Sequence, residues 1–169
     1  MKKAMIDYMQ NKKFDHFNTP DYAIKPLLPH VPKTWTIWEP TDSTGKSRIT
    51  KVLQNHGCTV RSTSQKEIDF LNDKPDFSFD CIITNPPYSL KDEFIERCIE
   101  LESPWALLLP LTALEGIKRG KLFNKIERFG VMIFDRRVEF TGGSCWFNTS
   151  WFCYWLLPKQ LIFTELNKI

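Results

Sequence analysis

The tetrapeptide Asn85-Pro86-Pro87-Tyr88 contains the residue types in this sequence that are most specific for chemistry. Two consecutive prolines lack backbone N–H groups and fix φ, so the Asn85 side-chain oxygen and the Pro86 carbonyl oxygen can be held as a rigid pair of acceptors. Two acceptors match a group with two hydrogens, such as the exocyclic amine of a nucleobase or an amide NH2. Bonds to both hydrogens would direct the nitrogen lone pair at an electrophile, and the Tyr88 ring offers a flat surface for stacking an extruded base. The alternative is a plain Pro-Pro turn with a buried tyrosine.

The elements around this tetrapeptide place it at one edge of a sheet. The apolar run 79–84 predicts a buried strand before it, and residues 90–101 predict a helix after it, because apolar residues recur on one helical face. Further strands are predicted at 34–39, 58–61, 106–109, 131–134 and 152–157. Further helices are predicted at 20–29, from after residue 46 up to Gly57, and at 114–129. The first of these is expected to have Thr19 as N-cap and Pro20 at its first position.

This alternation of apolar strands with helices indicates an α/β fold, with a mostly parallel sheet covered by helices on both faces. No helix pattern separates the last two predicted strands, so the last strand is expected to run antiparallel. Ligands of open α/β sheets bind at the carboxyl ends of the strands. The tetrapeptide follows a strand and therefore lies at that edge.

The length of 169 residues and the 42% hydrophobic content predict one domain over 1–169, with 1–17 as a polar, basic arm. A chain of this size leaves no room for a separate recognition domain. Its apolar runs are far shorter than the ~20 residues of a membrane span, so a cytoplasmic location is expected. The five cysteines are odd in number and form no C-x-x-C pair, which favours reduced, buried thiols over a disulfide or metal framework.

The formal net charge of +3 is mild, but the basic residues are clustered. Lys118, Arg119 and Lys121 share the predicted helix 114–129, Arg136 and Arg137 follow the next strand, and further lysines stand in the arm. These clusters are either a solvated surface or a set of contacts to phosphate groups.

Several segments together resemble a known family. Residues 79–101 (FDCIITNPPYSLKDEFIERCIEL) resemble the fourth motif of the S-adenosylmethionine-dependent amino-methyltransferases, in which N-P-P-Y follows the central strand. The likeness extends to Asn18-Thr19-Pro20, to residues 38–45 as the E-P-x-x-G-x-G cofactor loop, to the acidic-aromatic pair Asp69-Phe70, and to the late motif that begins at Phe147 (FNTSW). The order of the motifs is that of one class of adenine methyltransferases.

The resemblance implies a Rossmann-like class I methyltransferase that binds S-adenosylmethionine and methylates the exocyclic amine of adenine in nucleic acid, DNA ahead of RNA. The catalytic residues it implies are Asn85, Pro86, Pro87 and Tyr88. The cofactor-binding residues it implies are Asn18, Thr19, Pro20, Glu39, Pro40, Gly45, Ser62, Asp69, Phe70 and Asn85, and no metal is implied. Within this set, Glu39 would pair with the cationic methionine end and Asp69 with the cofactor adenine.

For substrate binding, the resemblance implies Tyr88 and Phe147 against the base, while the clustered residues Lys118, Arg119, Lys121, Arg136 and Arg137 would contact phosphate groups. With so little chain left to read a target, sequence discrimination is expected to be loose. A homodimer or a partner protein would then supply target recognition.

The sequence departs from the family pattern at two places and leaves other functions open. Ser43 replaces the first loop glycine, and Ser62 and Ser64 occupy the region where an acidic residue would bind the ribose. The alternatives are a protein glutamine amide methyltransferase, a non-catalytic binding or inhibitory protein on the same fold, and a P-loop nucleotide-binding enzyme. The last would use Gly45-Lys46-Ser47, with 131–135 as its metal-binding strand, although Pro40 stands where that loop needs glycine.

Overall fold

The computed structural model describes residues 18–42, 45–140, 143–144 and 147–167. A sheet of seven strands runs through these residues in the order β2-β1-β3-β4-β8-β5-β9. Its members are β1 (Thr36–Glu39), β2 (Thr59–Ser62), β3 (Cys81–Thr84), β4 (Trp105–Pro110), β5 (Phe129–Phe134), β8 (Thr149–Tyr154) and β9 (Leu161–Thr164). A separate two-stranded ribbon consists of β6 (Glu139–Phe140) and β7 (Gly143–Ser144).

Most of the sheet is parallel. Strand β1 pairs in parallel with β2 and β3, β3 with β4, and β5 with β9, whereas β8 lies antiparallel between β4 and β5. The predicted α/β class and the antiparallel strand are therefore confirmed. Strand β9 comes after the strand predicted at 152–157, which we expected to be the last. The two-stranded ribbon lies between the strands predicted at 131–134 and 152–157, in a segment that we expected to be a loop.

Within the described ranges, four α-helices and three 3-10 turns accompany the strands. The helices are α1 (Asp21–Ile24), which continues into a 3-10 turn (Lys25–His30), α2 (Arg48–His56), α3 (Lys91–Glu100) and α4 (Ile117–Phe123). The other 3-10 turns are Tyr88–Leu90 and Leu111–Leu114. Gly57 ends α2 in the left-handed conformation, as predicted.

Two helix predictions are wrong in detail. Thr19 is not the N-cap of α1, because the helix begins at Asp21 with Pro20 in the cap position. The helix predicted at 114–129 is shorter in the structure and comprises only α4, Ile117–Phe123. Gly116 before α4 has φ of 116° and Arg128 beyond it has φ of 54°, and a right-handed helix accommodates neither value.

Alternate residues of the central strands supply two apolar layers. Ile37, Ile83 and Leu108 pack in the layer that contains α1 and α2, whereas their neighbours Trp38 and Ile82 pack in the layer that contains residues of α3. Both faces of the sheet are thus covered, which explains the continuous apolar strands. The four cysteines described with their side chains are buried and unpaired, as predicted. None of the described helices has the length and apolar character needed to cross a membrane.

Candidate active site at the carboxyl edge of the sheet

The chain reverses its direction of travel across the sheet between β1 and β3. From β1 it passes to β2 on one side and later returns to β3 on the other side. Such a reversal opens a crevice at the carboxyl ends of the two strands, and open α/β sheets bind ligands there. The two strands end at Glu39 and Thr84, and the Thr84 hydroxyl donates a hydrogen bond to Glu39 Oε1 at 2.7 Å. The predicted site segments begin directly after these two residues.

A hydrogen bond joins two of the predicted motifs across this edge. Asn85 Nδ2 donates to Thr19 Oγ1 at 3.1 Å, although the two residues are 66 positions apart, and Thr19 is only 3% exposed. Asn18 is exposed and Pro20 is half-buried on either side of Thr19. Because the amide nitrogen of Asn85 is committed to Thr19, the plane of the amide is fixed and its oxygen occupies the opposite corner. Pro86 is buried beside it.

A pocket of about 270 Å³ is lined by Pro87 of the N-P-P-Y segment, whereas Asn85 and Thr19 are not among its lining residues. That size is close to the lower end of the ~300–1,000 Å³ typical of small-molecule sites. Four of its lining residues were predicted as site residues: Pro40, Asp69, Phe70 and Pro87. Ser64, which the sequence placed in the ribose-binding region, also lines it. Thr41, Gln65 and Lys66 line it too and were missed, because nothing in their spacing distinguishes them from ordinary loop residues.

The Asp69-Phe70 pair is held rigidly at the pocket wall. Asp69 Oδ1 accepts a hydrogen bond from Leu71 N at 3.0 Å, and Oδ2 accepts one from Asn72 Nδ2 at 2.9 Å. The buried Phe70 ring stacks on Phe94 with a centroid separation of 4.7 Å. Phe70 is therefore part of the core and forms the floor of the pocket.

Glu39 is a buried carboxyl behind the pocket wall, with 1% exposure. Its Oε1 accepts hydrogen bonds from Thr41 N at 3.0 Å and Thr41 Oγ1 at 2.9 Å, in addition to the bond from Thr84. Burial raises the pKa of Glu39, whereas hydrogen bonds from Ser47, Thr84 and Thr41 act in the opposite direction. Thr41 lines the pocket, so it stands between this carboxyl and a ligand.

Asp42 supplies a carboxylate at the end of β2, where the sequence offered none. It comes from the loop after β1, is buried, and accepts hydrogen bonds from Ser62 Oγ at 2.6 Å, Lys46 N at 3.1 Å and Ser47 N at 3.2 Å. The Ser62 hydroxyl donates to this carboxylate, which leaves it no proton for a ligand. An acidic residue just before the N-terminus of a helix was the signal that could have identified Asp42. Gly45 in the same loop has φ of 65°, a conformation that favours glycine.

The P-loop alternative is wrong. The backbone amides of Lys46 and Ser47, which would bind phosphate in such a loop, are hydrogen-bonded to Asp42. The proposed metal-binding Asp135 follows β5, which β3, β4 and β8 separate from β1. Four strand spacings amount to about 19 Å, too far for one nucleotide-metal site. Asp135 instead pairs with Arg136, and the hydrogen bond from Arg136 lowers the pKa of its carboxyl.

Two aromatic rings meet on the other side of the N-P-P-Y segment. The half-buried rings of Tyr88 and Phe147 contact each other edge to face, with centroids 5.5 Å apart and an interplanar angle of 70°. A base cannot lie between rings in this arrangement, so it would stack on one ring or displace Phe147. Trp146, which we also expected near this position, lies outside the described residues.

The predicted phosphate contacts are largely paired with acidic residues. Lys118 bonds Glu96 at 2.7 Å and Arg119 bonds Asp92 at 2.9 Å, both partners being in α3. In the same way Arg136 pairs with Asp135 at 2.7 Å, and Arg137 Nε donates to Asn148 Oδ1 at 3.3 Å. Lys121 is exposed and forms no ion pair with any residue in the described ranges. The lysines of the arm lie outside those ranges.

Comparisons with known proteins agree at the level of the fold. No family model matches the sequence, and no curated protein is similar enough to match it. A putative class I S-adenosylmethionine-dependent methyltransferase from Listeria monocytogenes superposes with a TM-score of 0.60, over 98% of this chain and 71% of its own, at 14% identity. A putative RNA methyltransferase from Pyrococcus horikoshii gives a TM-score of 0.59, over 90% of this chain and 94% of its own, at 12% identity.

The fold is that of the class I methyltransferases. A third similar structure is the modification subunit of a putative type I restriction enzyme from Vibrio vulnificus, with a TM-score of 0.53 and 12% identity over 99% of this chain. This chain spans about half (51%) of that subunit. Asn85 and Thr19 meet at the carboxyl edge of the sheet beside the reversal point between β1 and β3, where open α/β sheets bind ligands.

Proposed function

We propose that the protein is an S-adenosylmethionine-dependent methyltransferase that acts on the exocyclic amine of adenine in nucleic acid, with DNA preferred to RNA. The observation that carries this proposal is the bond between Asn85 and Thr19 at the reversal point of a class I methyltransferase fold. It fixes an amide acceptor two residues before Pro87, which lines a pocket of about 270 Å³.

The residues around the pocket fit the cofactor. Pro40 and Phe70 form apolar walls for its adenine, and the Asp69 carboxylate is an acceptor for the adenine amine. The buried Glu39, reached through Thr41, stabilises a positive charge, which suits the methionine ammonium group. When bound, the cofactor supplies a sulfonium methyl that is already activated for transfer. The chain therefore needs to supply orientation rather than an electrophile.

The N-P-P-Y residues orient the acceptor amine. Asn85 Oδ1 and the Pro86 carbonyl accept its two N–H groups, which brings the nitrogen toward tetrahedral geometry and exposes its lone pair to the methyl group. The bond from the methyl group to the sulfonium sulfur would break as the bond to nitrogen forms, and the cationic methylated nitrogen would then lose one proton to water, so no strong base is required. Tyr88 stacks on the extruded base, and Phe147 moves from its edge-to-face contact to admit it.

The choice of nucleic acid is supported by charge and by one structural neighbour. The exposed Lys121 would contact the phosphate backbone, and Lys118, Arg119 and Arg136 would do so once phosphate replaces their acidic partners. Arg137 would do so once phosphate replaces the Asn148 amide oxygen. The likeness to the modification subunit of a putative type I restriction enzyme favours DNA, and the likeness to a putative RNA methyltransferase keeps RNA as the second candidate.

Labelling of candidate substrates tests the proposal. The protein is incubated with labelled S-adenosylmethionine and, in separate reactions, with unmodified DNA, transfer RNA and total protein, and the modified nucleoside or residue is identified by mass spectrometry. The expected product is methyladenine in DNA, and it is expected to be lost in Asn85→Ala. The control Asn55→Ala, at an exposed position of α2, is expected to form it like the wild type. Label in glutamine would instead establish an amide methyltransferase. No label in any pool, with no rise in Tm on cofactor addition, would establish a non-catalytic protein.

A further inference from the structure

The outer edge of β9 is an exposed strand edge with apolar side chains. Strand β9 ends the sheet order, and no other described strand pairs with its outer side. Leu161 is 51% exposed and Phe163 is 76% exposed. An open edge with apolar side chains is a template for pairing with another strand, and proteins that do not use such an edge protect it with charge or a bulge.

The hydrogen bonds to β5 define which backbone groups point outward. Val131 N donates to Gln160 O at 2.7 Å, and Asp135 N donates to Thr164 O at 2.9 Å. Even-numbered residues of this segment therefore face β5. In a strand the backbone groups of successive residues point to opposite sides, so the N–H and C=O groups of Leu161 and Phe163 face the open edge.

The sequence along this edge is complementary to itself. In an antiparallel pair of two copies centred on Ile162, each Leu161 lies opposite the partner's Phe163, and this pair exchanges two backbone hydrogen bonds. The same register sets Lys159 opposite the partner's Glu165, both of which are exposed and flank β9. Twofold symmetry repeats every contact, which gives two apolar pairs, two ion pairs and four backbone hydrogen bonds on one interface.

We propose that the protein forms a twofold homodimer through antiparallel pairing of β9 with β9 of a second copy, in the register centred on Ile162. The pairing joins the two sheets into one of fourteen strands, twice the seven of one copy. Because the paired strands run in opposite directions, the carboxyl edges of the two sheets face opposite ways. The two candidate active sites therefore lie at opposite ends of the dimer, and the second copy does not complete the first site.

Charge reversal tests both the interface and its register. Sedimentation velocity over a range of micromolar concentrations is expected to show a concentration-dependent shift from 19.9 kDa toward twice that mass. Lys159→Glu or Glu165→Lys alone would set like charges opposite each other twice per dimer and raise the dissociation constant about tenfold. The double reversal Lys159→Glu/Glu165→Lys would restore it to within about twofold of the wild type.

A second variant tests the backbone pairing without disturbing the fold. Phe163→Pro removes an outward-facing N–H and no bond to β5, so the protein is expected to stay folded by circular dichroism and become monomeric. The control Ile117→Lys, at an 83% exposed position of α4, is expected to dimerise like the wild type. A wild type that is monomeric throughout, a dimer unaffected by Phe163→Pro, or a double reversal that stays as weak as the single variants would each overturn the proposal.

Discussion

Replacing Thr19 by valine removes the hydroxyl that holds the Asn85 amide while keeping almost the same shape. Thr19 is 3% exposed, and its Oγ1 accepts the 3.1 Å bond from Asn85 Nδ2. Leaving the partly buried amide donor of Asn85 without its acceptor costs about 1–3 kcal/mol. In a chain of this size, each 1 kcal/mol lowers Tm by about 2–4 °C. Thr19→Val is therefore expected to lower Tm by about 2–12 °C.

A double-mutant cycle with Asn85→Ala assigns this loss to the bond itself. Chemical denaturation of the wild type, the two single variants and the double variant is expected to give a coupling free energy of about 0.5–3 kcal/mol between Thr19 and Asn85. In a methylation assay, Thr19→Val is expected to lower kcat more than it weakens cofactor binding, because the amide is misplaced rather than lost. Strictly additive free energies of unfolding would refute the idea that Thr19 positions Asn85.

Three further predictions concern charges near the site. Burial raises the pKa of Glu39 above its ordinary value of 4.5, so between these two pKa values the folded state retains a proton that the unfolded state has lost. The stability of the wild type relative to Glu39→Gln is therefore expected to fall as pH rises from 4.5 toward the raised pKa. Urea midpoints of the two proteins that stay parallel across this range would contradict the prediction. Asp42→Asn weakens the charge-assisted hydrogen bonds to the loop amides and is expected to lower the free energy of unfolding, measured by thermal unfolding, by about 1.5–3 kcal/mol. The exposed control Asp76→Asn is expected to lower it by under about 0.5 kcal/mol. Equal losses for the two variants would contradict the prediction. In salt titrations of DNA binding, Lys121→Ala is expected to reduce the slope of log K against log salt by about 0.9. Lys118→Ala is expected to reduce the slope by less, because Glu96 already pairs with Lys118. A larger effect of Lys118→Ala than of Lys121→Ala would contradict the prediction.

The central part of the fold was predictable from the sequence for a simple physical reason. Strands β3 and β4 are buried along their whole length, so their apolar residues run almost without interruption and leave a strong signal. Strand β9 is exposed at alternate positions and follows a bend near Pro158, so its four residues carry no comparable signal. The length of α4 depended on the backbone conformation of Gly116, which composition alone does not specify.

The site was predictable where a motif is continuous in the chain and less so where side chains meet across it. Asn85 to Tyr88 stood out as one segment, and its position after β3 is confirmed. The partnership of Asn85 with Thr19 followed only from folding, since a Thr-Pro pair is equally typical of a helix start. The bonds from Asp42 to Ser62 likewise depend on how the loop after β1 turns back toward β2.

The role of Asn85 in methyl transfer is the central claim, and a comparison of binding with turnover tests it most directly. Wild-type protein and Asn85→Ala are each titrated with S-adenosylmethionine by calorimetry and assayed for methyladenine formation in DNA under single-turnover conditions. Loss of the amine acceptor is expected to lower the rate by about 100-fold or more, while the cofactor Kd changes by only a few-fold. Equal rates for the two proteins would contradict the account.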